Sequence, residues 1–206
     1  MTPFRFSVTA QGTVYRSASG LQGYYPRIVR LGEKELLASF VAGVQIESAD
    51  SRPVLSRSLD GGITWTCEGP LDKSRPETCP PTETGFISID KDGSLLCLGS
   101  QWRNDSTDPD LPLVHPQTVG MRENQVVLRH SYDGGRTWTA VEILPKPFQA
   151  PLEVPTGLWT QRDGMHLFSF STWRRWDGSC PYGHRVAISR STESVSNLER
   201  PHHNFS

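Results

Sequence analysis

The sequence predicts an all-β protein that contains about three four-stranded antiparallel sheets, the blades of a β-propeller. One eight-residue pattern, S-x-D-G-G-x-T-W, occurs twice, at residues 58–65 and 131–138. Each copy follows an apolar, β-branched run and precedes another short run typical of a strand. Repeated units of several short strands joined by tight turns are typical of propellers.

Each copy of the pattern predicts a hairpin turn. The aspartate can accept hydrogen bonds from backbone N–H groups, and the two glycines tolerate positive φ. The tryptophan begins the next strand, where its ring can pack under the turn. We therefore assign a structural role to eight residues: Ser58, Asp60, Gly62 and Trp65 in the first copy, and Ser131, Asp133, Gly135 and Trp138 in the second.

The repeat divides a single domain, residues 1–206, into blades at about 24–70, 84–145 and 155–198. The third blade loses the pattern, because Glu193 stands where the aspartate belongs and Leu198 where the tryptophan belongs. Three blades leave a propeller ring open, with exposed faces and edges. The chain is therefore expected to be truncated or shifted in frame near Glu193, or to pair with a second copy as a homodimer that completes the ring.

Composition excludes several partners. The chain has 206 residues, 35% of them hydrophobic, and a net charge of −1. No basic region predicts binding to nucleic acid or to an anionic membrane. No apolar run is long enough to span a bilayer, and the N-terminus lacks the pattern of a secretory signal. The sequence as written therefore predicts a cytoplasmic protein, and a lost leader would make it secreted or periplasmic.

Neither a metal site nor a cofactor is predicted. The four cysteines lack the spacing of zinc ligands, and the acidic stretch 105–110 lacks the spacing of a calcium loop. Cys97 lies in an apolar run and is expected in the core. Cys67 and Cys79 flank a proline-rich connection, and a disulfide between them is expected only in an oxidising compartment.

The repeated pattern resembles the Asp-box, or bacterial neuraminidase repeat, of the sialidase-like β-propellers. The first blade opens with Tyr25-Pro26-Arg27-Ile28-Val29, which resembles the sialidase opening Arg-Ile-Pro, with Val29 in place of the proline. The resemblance implies a six-bladed propeller of the sialidase type, of which this chain is the N-terminal half. It also implies hydrolysis of a terminal sialic acid or a similar carboxylated sugar.

The resemblance further implies roles for individual residues. In that family the opening arginine grips the substrate carboxylate with its planar, permanently charged fork, and Arg27 matches it. A carboxyl that protonates the glycosidic oxygen follows later in the first blade; Asp50 is the candidate general acid, with Glu47 as the fallback. Independently of the resemblance, Trp102 lies on the mouth side of its strand and is a weaker candidate for stacking on a sugar ring.

Blade topology predicts where such residues meet. The entry of the first strand and the loop between the second and third strands lie at the end opposite the repeated turns. Candidate site residues therefore come from the entries and from these loops: 24–27, 84–86 and 156–159, and 44–52, 103–124 and 174–183.

The family's tyrosine nucleophile, its glutamate partner and the other arginines come from later blades. The 206 residues are therefore expected to be inactive on their own. Two alternatives remain open. In the first, the chain is a non-catalytic propeller that binds glycans or protein, and Val29 favours this alternative. In the second, it is a related propeller glycosidase that acts on a neutral sugar such as arabinan and needs no set of three arginines to grip a carboxylate.

Overall fold

The computed structural model describes residues 7, 11–73, 81–104, 111–154 and 156–191. These residues form thirteen strands and no helix, which confirms the all-β prediction. Blade 1 is a four-stranded antiparallel meander in chain order. Its strands are β1 (Gln22–Arg30), β2 (Leu36–Gly43), β3 (Arg52–Ser58) and β4 (Thr66–Pro70).

Blades 2 and 3 each begin with a first strand that is split in two, and both halves pair with the second strand. Blade 2 contains β5 (Thr82–Glu83), β6 (Phe86–Ile89), β7 (Leu95–Trp102), β8 (Gln125–Ser131) and β9 (Glu142–Leu144). Blade 3 contains β10 (Leu152–Glu153), β11 (Trp159–Thr160), β12 (His166–Thr172) and β13 (Val186–Ser191). The predicted turn at 191–198 lies outside the described residues except for Ser191.

The core lies between blades. Alternate residues of a strand point to opposite faces, so β7 has two apolar faces. Leu95 and Cys97 pack in a cluster with residues of blade 1, whereas Leu96 and Leu98 pack with residues of blade 3. The uninterrupted apolar run of β7 therefore reflects a strand that is covered on both sides.

A buried arginine links blade 1 to the second repeated turn. Arg57 donates hydrogen bonds to Glu35 (2.7 Å), Glu68 (2.6 Å) and the Gly134 carbonyl (2.9 Å). Two carboxylates and a carbonyl compensate the desolvated guanidinium, which would otherwise be costly to bury. The contact therefore fixes the end of blade 1 that carries the repeated turn against blade 2.

Both S-x-D-G-G-x-T-W segments form the same hydrogen-bonded loop. In the second, the Asp133 carboxylate accepts the backbone N–H groups of Arg136 and Thr137, both at 2.9 Å, and the Thr137 hydroxyl at 2.5 Å. The hydroxyl and N–H of Thr137 hold the pKa of Asp133 at about 2. Trp138 Nε1 donates to the Gly135 carbonyl at 3.2 Å, which anchors the indole under the turn.

The first loop repeats these contacts residue by residue. The Asp60 carboxylate accepts the N–H groups of Ile63 at 3.0 Å and Thr64 at 2.9 Å. Gly61 and Gly62 have φ of +81° and +94°, and Gly134 and Gly135 have φ of +70° and +85°. The structural role predicted for both aspartates therefore has a direct geometric basis, because each carboxylate replaces a turn's missing backbone acceptors.

The outer face of blade 3 exposes apolar side chains. Trp159, Val186 and Ile188 are 67%, 81% and 60% exposed. In a closed propeller the next blade would cover this face. The covering unit, whether further blades or a second copy, stays a prediction.

We predict that Asp133→Asn lowers the melting temperature at pH 7, because a neutral amide is a weaker acceptor for the N–H and O–H donors of the turn. The folded pKa of Asp133 lies below its ordinary value of 3.8, at about 2. The ionised carboxylate therefore stabilises the fold above about pH 4, and this contribution disappears as the pH falls towards 2. Thermal unfolding followed by circular dichroism over this range measures both effects.

Glu33→Gln is the matched control, because Glu33 is an exposed acid in the turn after β1. It should leave the melting temperature and its pH dependence unchanged. Equal melting temperatures for Asp133→Asn and the wild type at pH 7 would contradict the role assigned to the turn.

Candidate functional site

A cavity opens where the first strands of the three blades are interrupted. Its empty volume, which includes space open to solvent, is about 580 Å³. All three blades contribute to its wall, through strand entries, strand ends and loops. The lining residues are Tyr24, Tyr25, Glu47, Ser51, Thr84, Phe86, Ser100, Trp102, Leu113, Val114, Met121, Glu153 and Val154.

The cavity lies at the blade end opposite the repeated turns, where the chain topology predicts a site. Tyr24 and Tyr25 belong to the first entry, Thr84 and Phe86 to the second, and Glu47 to the loop after β2. Each interruption frees backbone and side chains from the sheet ladder, which leaves room for a ligand.

In blade 1 the interruption is a bulge with unusual backbone geometry. The register between β1 and β2 shifts between Tyr24 and Arg27, and Tyr25 has φ of 55°. Glu47, on the loop after β2, also lines the cavity and has φ of 61°. Residues other than glycine rarely adopt this left-handed backbone conformation, and such strain is concentrated at functional sites.

Tyr24 holds the strained loop in place. Its hydroxyl accepts the Glu47 backbone N–H at 3.3 Å and also shares a hydrogen bond with the Ser51 hydroxyl. Tyr24 and Ser51 are buried. The loop conformation that aims Glu47 at the cavity is therefore fixed by a polar network rather than by the loop alone.

Glu47 is exposed to solvent, yet the pKa of its carboxyl is shifted by its position at the cavity. Burial raises its pKa above the ordinary value of 4.5, and the negative charge of Glu153 raises it further. Both effects disfavour the ionised form. A carboxyl of this kind is suited to donating a proton.

Glu153 enters the cavity because the side chain of Asn124 pins β10. Asn124 Nδ2 donates to the Leu152 carbonyl at 2.6 Å, and Asn124 Oδ1 accepts the Leu152 N–H at 3.0 Å. The amide therefore replaces a strand partner for Leu152, and the next residue, Glu153, lines the cavity. Glu153 is not among the site residues predicted from the sequence, where its local signal is a charge between two apolar residues, Leu152 and Val154.

Asp50, the predicted acid, lies on the same loop as Glu47 but outside the cavity lining. Its carboxylate accepts the Val44 N–H through both oxygens, at 3.1 and 3.2 Å. This contact closes the loop between β2 and β3. The structure thus brings Glu47, the fallback acid, into the cavity and places Asp50 where it shapes the loop.

Arg27 lies beside the cavity. Its guanidinium carbon is 5.2 Å from the centroid of the Phe86 ring, and Phe86 lines the cavity. Nη1 donates to the Pro26 carbonyl at 3.0 Å. Arg27 therefore reaches the site through an aromatic ring and is not itself among the lining residues.

Trp102 lines the cavity, as its proposed stacking role requires. Its ring is only 5% exposed and packs with Leu113 and Met121. Nε1 donates to the Arg122 carbonyl at 3.2 Å. Most of the indole therefore supports the wall, and only a small part of it faces a ligand.

The described residues support neither a metal site nor a membrane-spanning helix. They contain no group of three or more acidic, cysteine or histidine side chains placed to hold a metal ion. None of them forms a helix long and apolar enough to cross a membrane. Cys97 is buried, and burial raises the pKa of its thiol to about 12. Cys79 lies outside the described part of the chain, so its predicted pairing with Cys67 stays a prediction.

No protein-family model and no curated protein sequence matches this chain. Solved structures do match it. A protein of unknown function from Dyadobacter fermentans aligns with a TM-score of 0.68 at 18% identity, over 91% of this chain and 56% of that one. A Hadza microbial sialidase aligns with a TM-score of 0.58 at 18% identity, over 87% and 37%.

A third match is an α-L-arabinanase from Penicillium chrysogenum, in a complex with arabinobiose, with a TM-score of 0.55 at 17% identity over 85% of this chain and 49% of that one. The chain has a β-propeller fold. This confirms the fold prediction, since sialidases and arabinanases are both among the matches. The chain spans roughly half the length of these structures.

We predict that Tyr24→Phe lowers the free energy of unfolding by about 1–2 kcal/mol, because the Glu47 N–H loses its acceptor and Ser51 its buried partner. Urea denaturation measures the change. Tyr132→Phe is the matched control, because Tyr132 is exposed, and it should change stability little. If both variants behave like the wild type, the hydroxyl does not hold the loop.

Proposed function

We propose that the chain supplies the sugar-binding half of a propeller glycosidase site, with Glu47 as the proton donor to the glycosidic oxygen. The observation that carries the proposal is the position of Glu47: a carboxyl with a raised pKa, aimed into a cavity at the expected end of the blades. The likeness of the fold to sialidases and arabinanases supports a carbohydrate ligand.

The chemistry of glycoside cleavage fits this carboxyl. Glycosidases commonly use one carboxyl that is still protonated near neutral pH and a second carboxylate nearby. Burial and the charge of Glu153 shift the pKa of Glu47 upwards, the direction that favours a proton donor, and Glu153 lines the same cavity. The aromatic wall offers faces on which a sugar ring can stack.

The sialidase-like form of the proposal assigns the substrate carboxylate to Arg27 and proton donation to Asp50. Both assignments stay predictions. The cavity favours Glu47 as donor, because Glu47 lines it, whereas the Asp50 carboxylate bonds to the Val44 N–H within the loop. In our account Asp50 is a positioning residue that closes the loop carrying Glu47.

The family resemblance implies further catalytic groups that lie in later blades. In the proposal they come either from further blades or from a second copy of the chain. The chain alone should therefore bind sugar without turning it over. The non-catalytic alternative makes the same statement about binding, and it differs in requiring no proton transfer from Glu47.

We predict that Glu47 titrates above 4.5. Glu153→Gln should shift its pKa downwards, because the variant removes the neighbouring charge that raises it. Carbon-detected NMR of side-chain carboxyls measures both values, with Glu33→Gln as the control that leaves the Glu47 pKa unchanged. An ordinary Glu47 pKa in the wild type would remove the basis for its role as proton donor and favour the non-catalytic alternative.

We predict that Glu47→Gly stabilises the fold by about 1 kcal/mol while weakening sugar binding, because glycine adopts positive φ without strain. Glu47→Ala is the matched control: it removes the same carboxyl but keeps the strained backbone, so it should weaken binding without the gain in stability. Urea denaturation and titration with arabinobiose and with sialic acid provide the two readouts. Unchanged binding of both sugars by both variants would contradict a functional role for Glu47.

A further inference from the structure

The cavity combines aromatic rings with acidic groups. Tyr24 and Tyr25 pack edge to face, with ring centroids 5.1 Å apart and an interplanar angle of 82°. Tyr25 continues the cluster to Phe86 at 6.3 Å. Glu47 and Glu153 line the same cavity. Aromatic faces and carboxylates together are the groups that recognise an organic ammonium ion.

The charged side chains in the described lining are both acidic. Glu47 and Glu153 line the cavity, and no lysine, arginine or histidine does. Burial raises the pKa of Tyr24, of Tyr25 and of Glu47, and in each case nearby acidic groups raise it further. The site therefore disfavours additional negative charge. A carboxylated sugar would add it, whereas a cation would relieve the repulsion between the two glutamates.

Arg27 shows that this wall accepts a positive charge. Its guanidinium carbon lies 5.2 Å from the centroid of the Phe86 ring, within the range of a cation–π contact. Phe86 is the ring that joins Tyr25 to the second blade's side of the cavity. A ligand ammonium placed over the Tyr25 ring would meet the same favourable field and the two carboxylates as well.

We infer that the cavity selects a sugar that carries a protonated amino group over a neutral sugar and over a carboxylated one. The inference rests on the proposed function for the statement that the ligand is a sugar. It assigns the ammonium to the space between the Tyr25 face, Glu47 and Glu153, and the sugar ring to the remaining aromatic wall. It departs from the carboxylated sugar that the sequence resemblance implies.

The test titrates the isotopically labelled full chain at pH 7 with glucose and with two sugars that each differ from it at one position, glucosamine at C2 and glucuronate at C6. Amide and side-chain NMR shifts locate binding and give the affinities. We expect glucosamine to bind at least about tenfold more tightly than glucose, equivalent to about 1.4 kcal/mol, and glucuronate more weakly than glucose. The shifts should be centred on Tyr24, Tyr25, Glu47 and Glu153.

Glu153→Gln separates charge from shape. It should reduce the affinity for glucosamine to that for glucose, whereas the control Glu33→Gln, which removes the same charge from the far end of blade 1, should retain the preference. Equal binding of glucosamine and glucose, or tighter binding of glucuronate, would overturn the inference and leave the proposed function standing. Failure of all three sugars to perturb the cavity residues would overturn both.

Discussion

The interruption of the first strand in each blade is the constraint on which the site depends. In a continuous first strand, the backbone N–H and C=O groups would pair with the second strand, and the side chains would point to the two blade faces. The bulge at Tyr24 and Tyr25 and the breaks after Glu83 and Glu153 release these residues at one end of the fold. The cavity is thus a product of strand geometry in three blades at once.

Local chemistry maintains that geometry. At the end with the repeated turns, aspartate carboxylates accept hydrogen bonds from the turn backbone. At the cavity end, the side chains of Tyr24 and Asn124 bond to the backbone of Glu47 and of Leu152. The two ends therefore separate stability from function. Rigid turns at one end leave the other free to carry strained backbone at Tyr25 and Glu47.

The features that the sequence predicts well are those set by neighbours along the chain. The two box loops follow from Asp, Gly and Trp in fixed order, and the functional end of the blades follows from topology. Glu153 was missed because its position depends on Asn124, a distant residue that bonds to Leu152. The sequence could not predict which of Asp50 and Glu47 is the better proton donor. Only the folded loop shows that Asp50 bonds to Val44, whereas Glu47 lines the cavity.

A crystal structure of the chain soaked with a sugar tests the central claim most directly, because it asks whether the cavity at the strand interruptions is the binding site. The account predicts a sugar ring against the aromatic wall of Tyr25 and Phe86, with a polar substituent within hydrogen-bond distance of Glu47. A sugar bound at another surface, with the cavity occupied by protein side chains, would contradict it.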